Sequence, residues 1–301
     1  MGTVYGHYSV WNASVTGRSM LGVMAIGIVV TACGVDDGFP SPSMTAVLGV
    51  DLSSDKSLLV MGDWGSGTDS EQDVAEAMAT FADTREIAAI VTTGDNFYED
   101  DAHQIMEPFG WARERDIPFL ISWGNHDVES QRRIDLIEET FAEAPRWWMQ
   151  EWGPIDIVML DSTQVASGRQ MEFFQHAMVE SDDPMIVVFH HPPYSCGSHG
   201  DDEAVVARWV TRFDDDVVLV LSGHEHNYQR FDSDGIAYVV TGGGGATLTD
   251  LADCSNDHPA RVSGEAVHHF VALELTDSLN VTAIDSDDDV LDEFSLPLTS
   301  P

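Results

Sequence analysis

Five short polar clusters each follow an apolar run, and together they hold the residues best suited to binding metal ions. Leu58–Met61 leads into Gly62-Asp63-Trp64-Gly65, and Ile87–Thr93 leads into Gly94-Asp95-Asn96-Phe97-Tyr98. Pro118–Ser122 runs on to Gly124-Asn125-His126-Asp127, Met185–Phe189 to His190-His191-Pro192-Pro193, and Val217–Leu221 to Gly223-His224-Glu225-His226. A lone Gly-Asp or His-x-His would be weak evidence of anything. Five such clusters in succession predict one shared metal site, because an open α/β sheet gathers its ligands beyond the carboxyl ends of its strands.

The elements that must position these clusters follow from hydrophobic periodicity. Between the early apolar runs, which also include Ile155–Leu160, lie stretches with charged faces and apolar spacings of three and four. These are Asp69–Ala82, Ser130–Thr140, Arg169–Val179 and Asp202–Val210, and they read as helices. The later runs, Ala237–Thr241, Phe270–Leu275, Leu279–Ile284 and Val290–Phe294, follow closely without helices between them, which predicts antiparallel pairing. The expected fold class is therefore α/β, a two-sheet β-sandwich flanked by helices. Asp285-Ser286-Asp287-Asp288-Asp289 reads as a solvated hairpin turn, with a calcium site the less favoured reading.

Composition narrows the partners. The chain has 301 residues, 43% of them hydrophobic, which is enough to bury a core. Its 52 acidic residues against 13 basic ones give a net charge of −39, and Lys56 is the only lysine. That balance argues against nucleic acid, which needs a basic footprint, and against attraction to anionic lipid. An anionic substrate would need a local positive centre.

The N-terminal segment carries an address. Met20–Val30 has the length and apolarity of a signal-peptide core and is short for a membrane span. It ends in Val30-Thr31-Ala32-Cys33, which resembles a bacterial lipobox whose cysteine is lipidated. Ordinary cleavage near Ala32 is the alternative. Residues 1–33 are expected to be a signal peptide, 34–55 a Gly/Pro/Ser/Asp-rich linker and 56–301 the globular domain. The expected location is outside the cytoplasm, as a cell-envelope lipoprotein or a secreted protein. In an oxidising compartment Cys196 and Cys254 could form one disulfide, and two unpaired thiols is the other reading.

The order GDxG, GDxxY, GNH, VxxH, GHxH is met in full by Gly62–Gly65, Gly94–Tyr98, Gly124–His126, Val187–His190 and Gly223–His226. In this the chain resembles the metallophosphoesterases and, within them, the purple acid phosphatases. No accessory domain precedes the first motif, so it looks like the small, tartrate-resistant-like branch. The resemblance implies the four-layer metallophosphoesterase fold and a two-metal centre. Asp95 would bridge the ions. Asp63, Tyr98 and His226 would complete the site of a ferric ion, while Asn125, His190 and His224 would hold a divalent ion, Fe, Zn or Mn. Hard carboxylate and phenolate oxygens suit Fe(III), and imidazole and amide oxygen tolerate several divalent ions. His191 reads as a neighbour that supports the ligands.

Most metallophosphoesterases carry Asp-x-His in the first motif, where this chain has Gly65. Tyr98 is then expected to take the vacant coordination position. The implied reaction is hydrolysis of phosphate monoesters by a metal-bound hydroxide at a dinuclear Fe(III)–M(II) centre, as in acid phosphatases. His126 is placed to protonate the leaving group, and His199 resembles a second histidine on the substrate side. The substrate would be a small phosphoester or a phosphopeptide. Two alternatives stay open: a phosphodiesterase or nucleotidase of the same superfamily, and a surface protein that binds metal or phosphate without turnover. Thr241–Ala246, with four consecutive glycines, lacks a following GK[ST] and reads as a flexible or close-packed turn. Trp147 and Trp148 read equally as cleft wall or core edge.

Overall fold

Apolar runs with no charged positions become strands buried on both faces, and the two sheets are built around them. The computed structural model describes residues 50, 52–141, 144–254 and 259–298; the leader, Cys33 and nearly all of the linker ahead of Leu52 lie outside the described residues. The described residues all fall within one compact unit, Ser41–Pro301. In chain order the strands are β1 (Ser57–Met61), β2 (Ile87–Thr92), β3 (Phe119–Leu120), β4 (Trp148–Trp152), β5 (Ile155–Met159), β6 (Met185–Val188) and β7 (Val217–Ser222). They continue with β8 (Tyr228–Ser233), β9 (Ile236–Thr241), β10 (Arg261–Glu265), β11 (His269–Leu275), β12 (Ser278–Asp285) and β13 (Val290–Pro297). The helices are α1 (Asp69–Ala82), α2 (Ala102–Met106), α3 (Gly110–Glu114), α4 (Gln131–Thr140), α5 (Gly168–Glu180) and α6 (Glu203–Arg208).

One sheet has the order β13-β12-β11-β1-β2-β3 and the other β10-β8-β9-β7-β6-β5-β4. β1, β2 and β3 run parallel, as do β5, β6, β7 and β9. The tail strands β11, β12 and β13 pair antiparallel, as expected for runs joined by short turns. Successive side chains on a strand face opposite ways, so each sheet has two apolar faces to bury. Leu58 and Val60 of β1 pack between the sheets with Ile157, Val188, Leu221 and Val271. Leu59 and Met61 pack outward with Val74 and Met78 of α1. On the far side, Val187 and Phe189 pack with Phe173 and Phe174 of α5 and Val205 of α6. The result is four layers: helices, sheet, sheet, helices.

α1 begins on a Thr N-cap, with Glu71 reaching back one residue beyond it. Thr68 Oγ1 accepts the Glu71 N–H at 3.4 Å, and Glu71 reaches back to the Gly67 N–H at 2.6 Å. Three strands go beyond the sequence expectation: β4 and β8, where buried Gln150 and Gln229 interrupt the apolar pattern, and β10, which has no buried residue. α2 and α3, five residues each, are also additions. Trp147 and Trp148 are buried, so the core reading of that pair holds. Asp285 accepts the N–H groups of Asp287 and Asp289, both at 2.9 Å, and makes the β12–β13 hairpin turn. No helix among the described residues is long and apolar enough to cross a membrane.

Candidate metal centre

The candidate ligands emerge where β1, β2, β6 and β7 end on one side of the molecule, joined by the segment after β3. Asp63 and Asp95 directly follow glycines at two of these ends. Each has a left-handed backbone, with φ 56° and 49°, and His224 shares it at φ 70°. Asp tolerates this conformation better than most residues, but His224 there is strained by roughly 1–3 kcal/mol. Neighbouring backbone holds the turns: the Asp63 N–H donates to Gly94 O at 3.0 Å, and the His224 N–H donates to Asp63 Oδ2 at 2.8 Å.

The side chains expected around the first ion meet at the Tyr98 hydroxyl. It lies 3.1 Å from Asp63 Oδ1, 3.1 Å from Asp95 Oδ2 and 3.0 Å from His226 Nε2. The set expected around the second ion meets at His190 Nε2, 2.9 Å from Asn125 Oδ1, 3.2 Å from His224 Nδ1 and 3.3 Å from Asp95 Oδ2. Asp95 therefore touches both groups. The outer nitrogens are committed elsewhere: His190 Nδ1 faces Thr93 O at 3.0 Å, and His226 Nδ1 faces Thr247 O at 2.6 Å. Each carbonyl accepts an N–H, which leaves the Nε2 lone pair free to face the centre.

Electrostatics favour cations here. Asp63 and Asp95 are wholly buried, and among the described residues their ion-pair partners are histidines: His226 at 3.4 Å and His190 at 3.3 Å. Burial pulls the His190 imidazole down, but the Asp95 carboxylate outweighs it and raises the pKa to about 9. Burial, then the carboxylates of Asp63 and Asp95, push the Tyr98 phenol far above its ordinary range. A bound cation would reverse both trends, stabilising the phenolate and displacing the imidazole proton. Two buried carboxylates, a phenol, three imidazoles and an amide converge, and among the described residues neither Asp63 nor Asp95 is ion-paired to a lysine or arginine. That donor set fits a pair of metal ions, with hard oxygen on one side and nitrogen on the other.

The surrounding residues explain the motif glycines. A Cβ on Gly65 would collide with the backbone carbonyl of Asn96, and the Tyr98 N–H donates to Gly65 O at 2.7 Å. The space a longer side chain would need at position 65 is filled by the backbone of the segment that carries Tyr98. Asp127 organises that segment: its carboxylate accepts from the N–H groups of Gly124 and Asn96 at 2.8 Å each, from Phe97 N–H at 3.2 Å and from Asn96 Nδ2 at 2.8 Å. Burial and the neighbouring Asp95 charge push Asp127 up to about 7. The glycine run after β9 is close-packed: a Cβ on Gly242 would strike the Glu225 carbonyl, and one on Gly244 would crowd Trp64.

His126 and His199 flank the centre and are partly exposed. The His126 ring lies 4.5 Å from the Tyr98 ring, with Nδ1 2.9 Å from Glu129. The His199 ring lies 4.4 Å from that of His224. His191 stands closer than its sequence position suggests. Its ring is 4.6 Å from His224, its Nδ1 is 2.8 Å from Ser162 Oγ, and with His190 and His224 it forms a group whose donor atoms lie within 4.8 Å. Burial, then the charge on His190, pull His191 down to about 4. A disulfide joins Cys196 to Cys254 across the loop that carries His199.

Residues 56–228 match the family model described as calcineurin-like phosphoesterase. "Purple acid phosphatase 7" of Arabidopsis thaliana is 26% identical over 229 residues, covering 63% of this chain and 70% of the relative. "Tartrate-resistant acid phosphatase type 5" of Sus scrofa is 24% identical over 262 residues, covering 71% and 76%. The solved purple acid phosphatase PPD1 from yellow lupin (Lupinus luteus) seeds superposes with a TM-score of 0.66 at 17% identity. It aligns over 80% of this chain and 53% of its own length, a likeness of fold.

Proposed function

Because the chain belongs to the calcineurin-like phosphoesterase family, we propose that it hydrolyses phosphate monoesters as an acid phosphatase with a dinuclear Fe(III)–M(II) centre, M being Fe, Zn or Mn. One observation carries the reading: the Tyr98 hydroxyl lies within 3.1 Å of Asp63, Asp95 and His226, beside a Gly65 that offers no side chain. Tyr98, Asp63, His226 and the bridging Asp95 would hold the ferric ion, and Asn125, His190 and His224 the divalent one. When bound, such a centre supplies Lewis acidity toward phosphate oxygens and lowers the pKa of a water so that it can act as nucleophile.

The rest falls to the protein. His126 and His199, on the rim, would donate a proton or hydrogen bond to the leaving oxygen and the phosphoryl group. The ring nitrogens bonded to Thr93 O and Thr247 O fix His190 and His226 so that they need not reorganise on binding. Export belongs to the same reading. The Cys196–Cys254 disulfide supports an oxidising compartment, and Cys33 is read as the lipidated residue, to be checked by whether Cys33→Ala releases the protein from membranes.

The test combines colour with turnover. The purified protein is expected to contain iron, to show a visible tyrosinate-to-iron band that Tyr98→Phe abolishes, and to cleave p-nitrophenyl phosphate best in acid. A colourless, iron-free protein active only with zinc or manganese would end the iron–tyrosinate assignment and leave a phosphoesterase. No turnover of any ester after metal loading would favour the binding-protein alternative.

A further inference from the structure

The segment His224–Gln229 is two-sided. His224 and His226 face the metal centre, while Glu225, Asn227 and Gln229, all fully buried, face the loop that carries His199. The Glu225 carboxylate accepts from three successive backbone amides: Ser198 N–H at 3.1 Å, His199 N–H through a short bond, and Gly200 N–H at 3.2 Å. It also accepts from the Thr249 hydroxyl at 3.2 Å, and His199 Nδ1 lies 3.4 Å from Oε1. Asn227 Nδ2 donates to Thr249 Oγ1 at 3.1 Å and Gln229 Nε2 to Asn227 Oδ1 at 2.9 Å. Gln229 in turn accepts the Cys196 N–H at 2.8 Å and donates to Ser195 Oγ at 3.2 Å. A Cβ on Gly197 would collide with the Glu225 carboxylate, so the loop lies flat on it.

We propose that Glu225, continued by Asn227 and Gln229, is the positioning residue that holds His199 over the metal centre. An exposed loop histidine would otherwise have many placements. A buried carboxylate receiving three consecutive N–H groups leaves the loop one, and each such charge-assisted bond is worth more than a neutral one. The same six-residue segment thus carries two of the candidate inner ligands and restrains the outer histidine, so that they keep a fixed spacing. The assignment of His199 to the substrate side rests on the function proposed above; the restraint of the loop by Glu225 does not.

The test uses the full chain with Glu225→Gln, whose amide would set an N–H against N–H donors. Hydrogen exchange at Ser198, His199 and Gly200 should speed up at least about tenfold, the effect of losing one or two bonds to a charged acceptor. Metal content should stay at the wild-type level. In turnover of p-nitrophenyl phosphate, Glu225→Gln and His199→Ala should each lower kcat/KM, and the double variant should lose no more than His199→Ala alone. Unchanged exchange at these three amides, or losses that multiply in the double variant, would overturn the proposal. Should Glu225→Gln not fold, Glu225→Asp keeps the charge with a shorter reach and must show the same exchange pattern in weaker form. A wild-type protein without turnover would refute the proposed function and leave the exchange result to decide the restraint.

Discussion

Gly65→Ala is the sharpest perturbation the centre offers, because it adds one methyl group where the structure has no room. The new Cβ would overlap the Asn96 carbonyl and lie 3.0 Å from Phe97 Cα, both backbone. Asn96 cannot retreat cheaply. Its Oδ1 accepts from Thr92 Oγ1 at 2.6 Å and Trp64 Nε1 at 3.2 Å, its Nδ2 donates to Ser122 O and Asp127 Oδ2 at 2.8 Å, and its N–H donates to Asp127 Oδ1 at 2.8 Å. Overpacking a filled interior costs about 1–3 kcal/mol, and each buried polar group stranded by the shift adds about 1–3 kcal/mol. Taking the middle of each range with one or two such groups lost, the expected destabilisation is about 4–6 kcal/mol, a large part of the roughly 5–15 kcal/mol that holds a domain together. Urea unfolding followed by tryptophan fluorescence measures it. Gly168→Ala is the control: it sits at the start of α5, and a Cβ there meets nothing within 4 Å. Gly65→His paired with Tyr98→Phe should likewise fail to rebuild a histidine-type site, since the imidazole has no path past the Asn96 backbone. A Gly65→Ala protein within about 0.5 kcal/mol of wild type, the range of an ordinary surface change, would refute the reasoning.

Two buried groups make opposite predictions for pH. Burial pulls His269 down to about 4, and the neutral ring is held between Val267 O at 3.0 Å and Thr241 Oγ1 at 3.1 Å. A base with a depressed folded pKa contributes stability above its unfolded pKa near 6.5 and loses it as pH falls toward 4. The loss is on the order of 2–3 kcal/mol, and His269→Gln should flatten the dependence of the urea midpoint over that range. Glu71 goes the other way. Burial raises its carboxyl to about 8, and its Oε1 has no hydrogen-bond partner among the described residues. Its folded form stays protonated while the unfolded one ionises, so stability falls as pH rises from about 4.5 toward 8. Glu71→Gln should match wild type near pH 4 and exceed it by on the order of 3 kcal/mol at pH 7; no gain at pH 7 would show that the carboxyl is not strained there.

The candidate inner site was legible because each candidate ligand lies within a few residues of a strand end, and strand ends announce themselves through apolar runs. Asp63, Asp95, Tyr98, Asn125, His190, His224 and His226 all come together as neighbours in space. The parts that were not legible depend on contacts far apart in sequence. Position 65 reads as a missing ligand, yet only the packing of residues 96–98 against it shows that no side chain could stand there. Glu225, Asn227 and Gln229 read as polar residues in or next to a motif, and polarity ordinarily signals solvent; their burial depends on hydrogen-bond partners, donors and acceptors both, in residues 195–200 and 249. β4 and β8 were hidden for a related reason, since residues such as Gln150 and Gln229 interrupt the apolar pattern while being buried.

The left-handed backbone at Asp63, Asp95 and His224 has a consequence for anyone who mutates this centre. Replacing one of these residues changes two things at once, the donor atom and the tolerance for positive φ. Asn keeps the shape and the conformation of Asp, so Asp63→Asn and Asp95→Asn isolate the charge. Alanine at the same positions would mix a lost donor with a distorted turn, and a valine or isoleucine scan would report almost wholly on the turn. At 224 the situation inverts: glycine or asparagine would relax the backbone while deleting the imidazole, so a more stable protein that no longer holds metal is the expected signature. Stability and metal retention should therefore be read together at these three positions, because either one alone would assign the effect to the wrong cause.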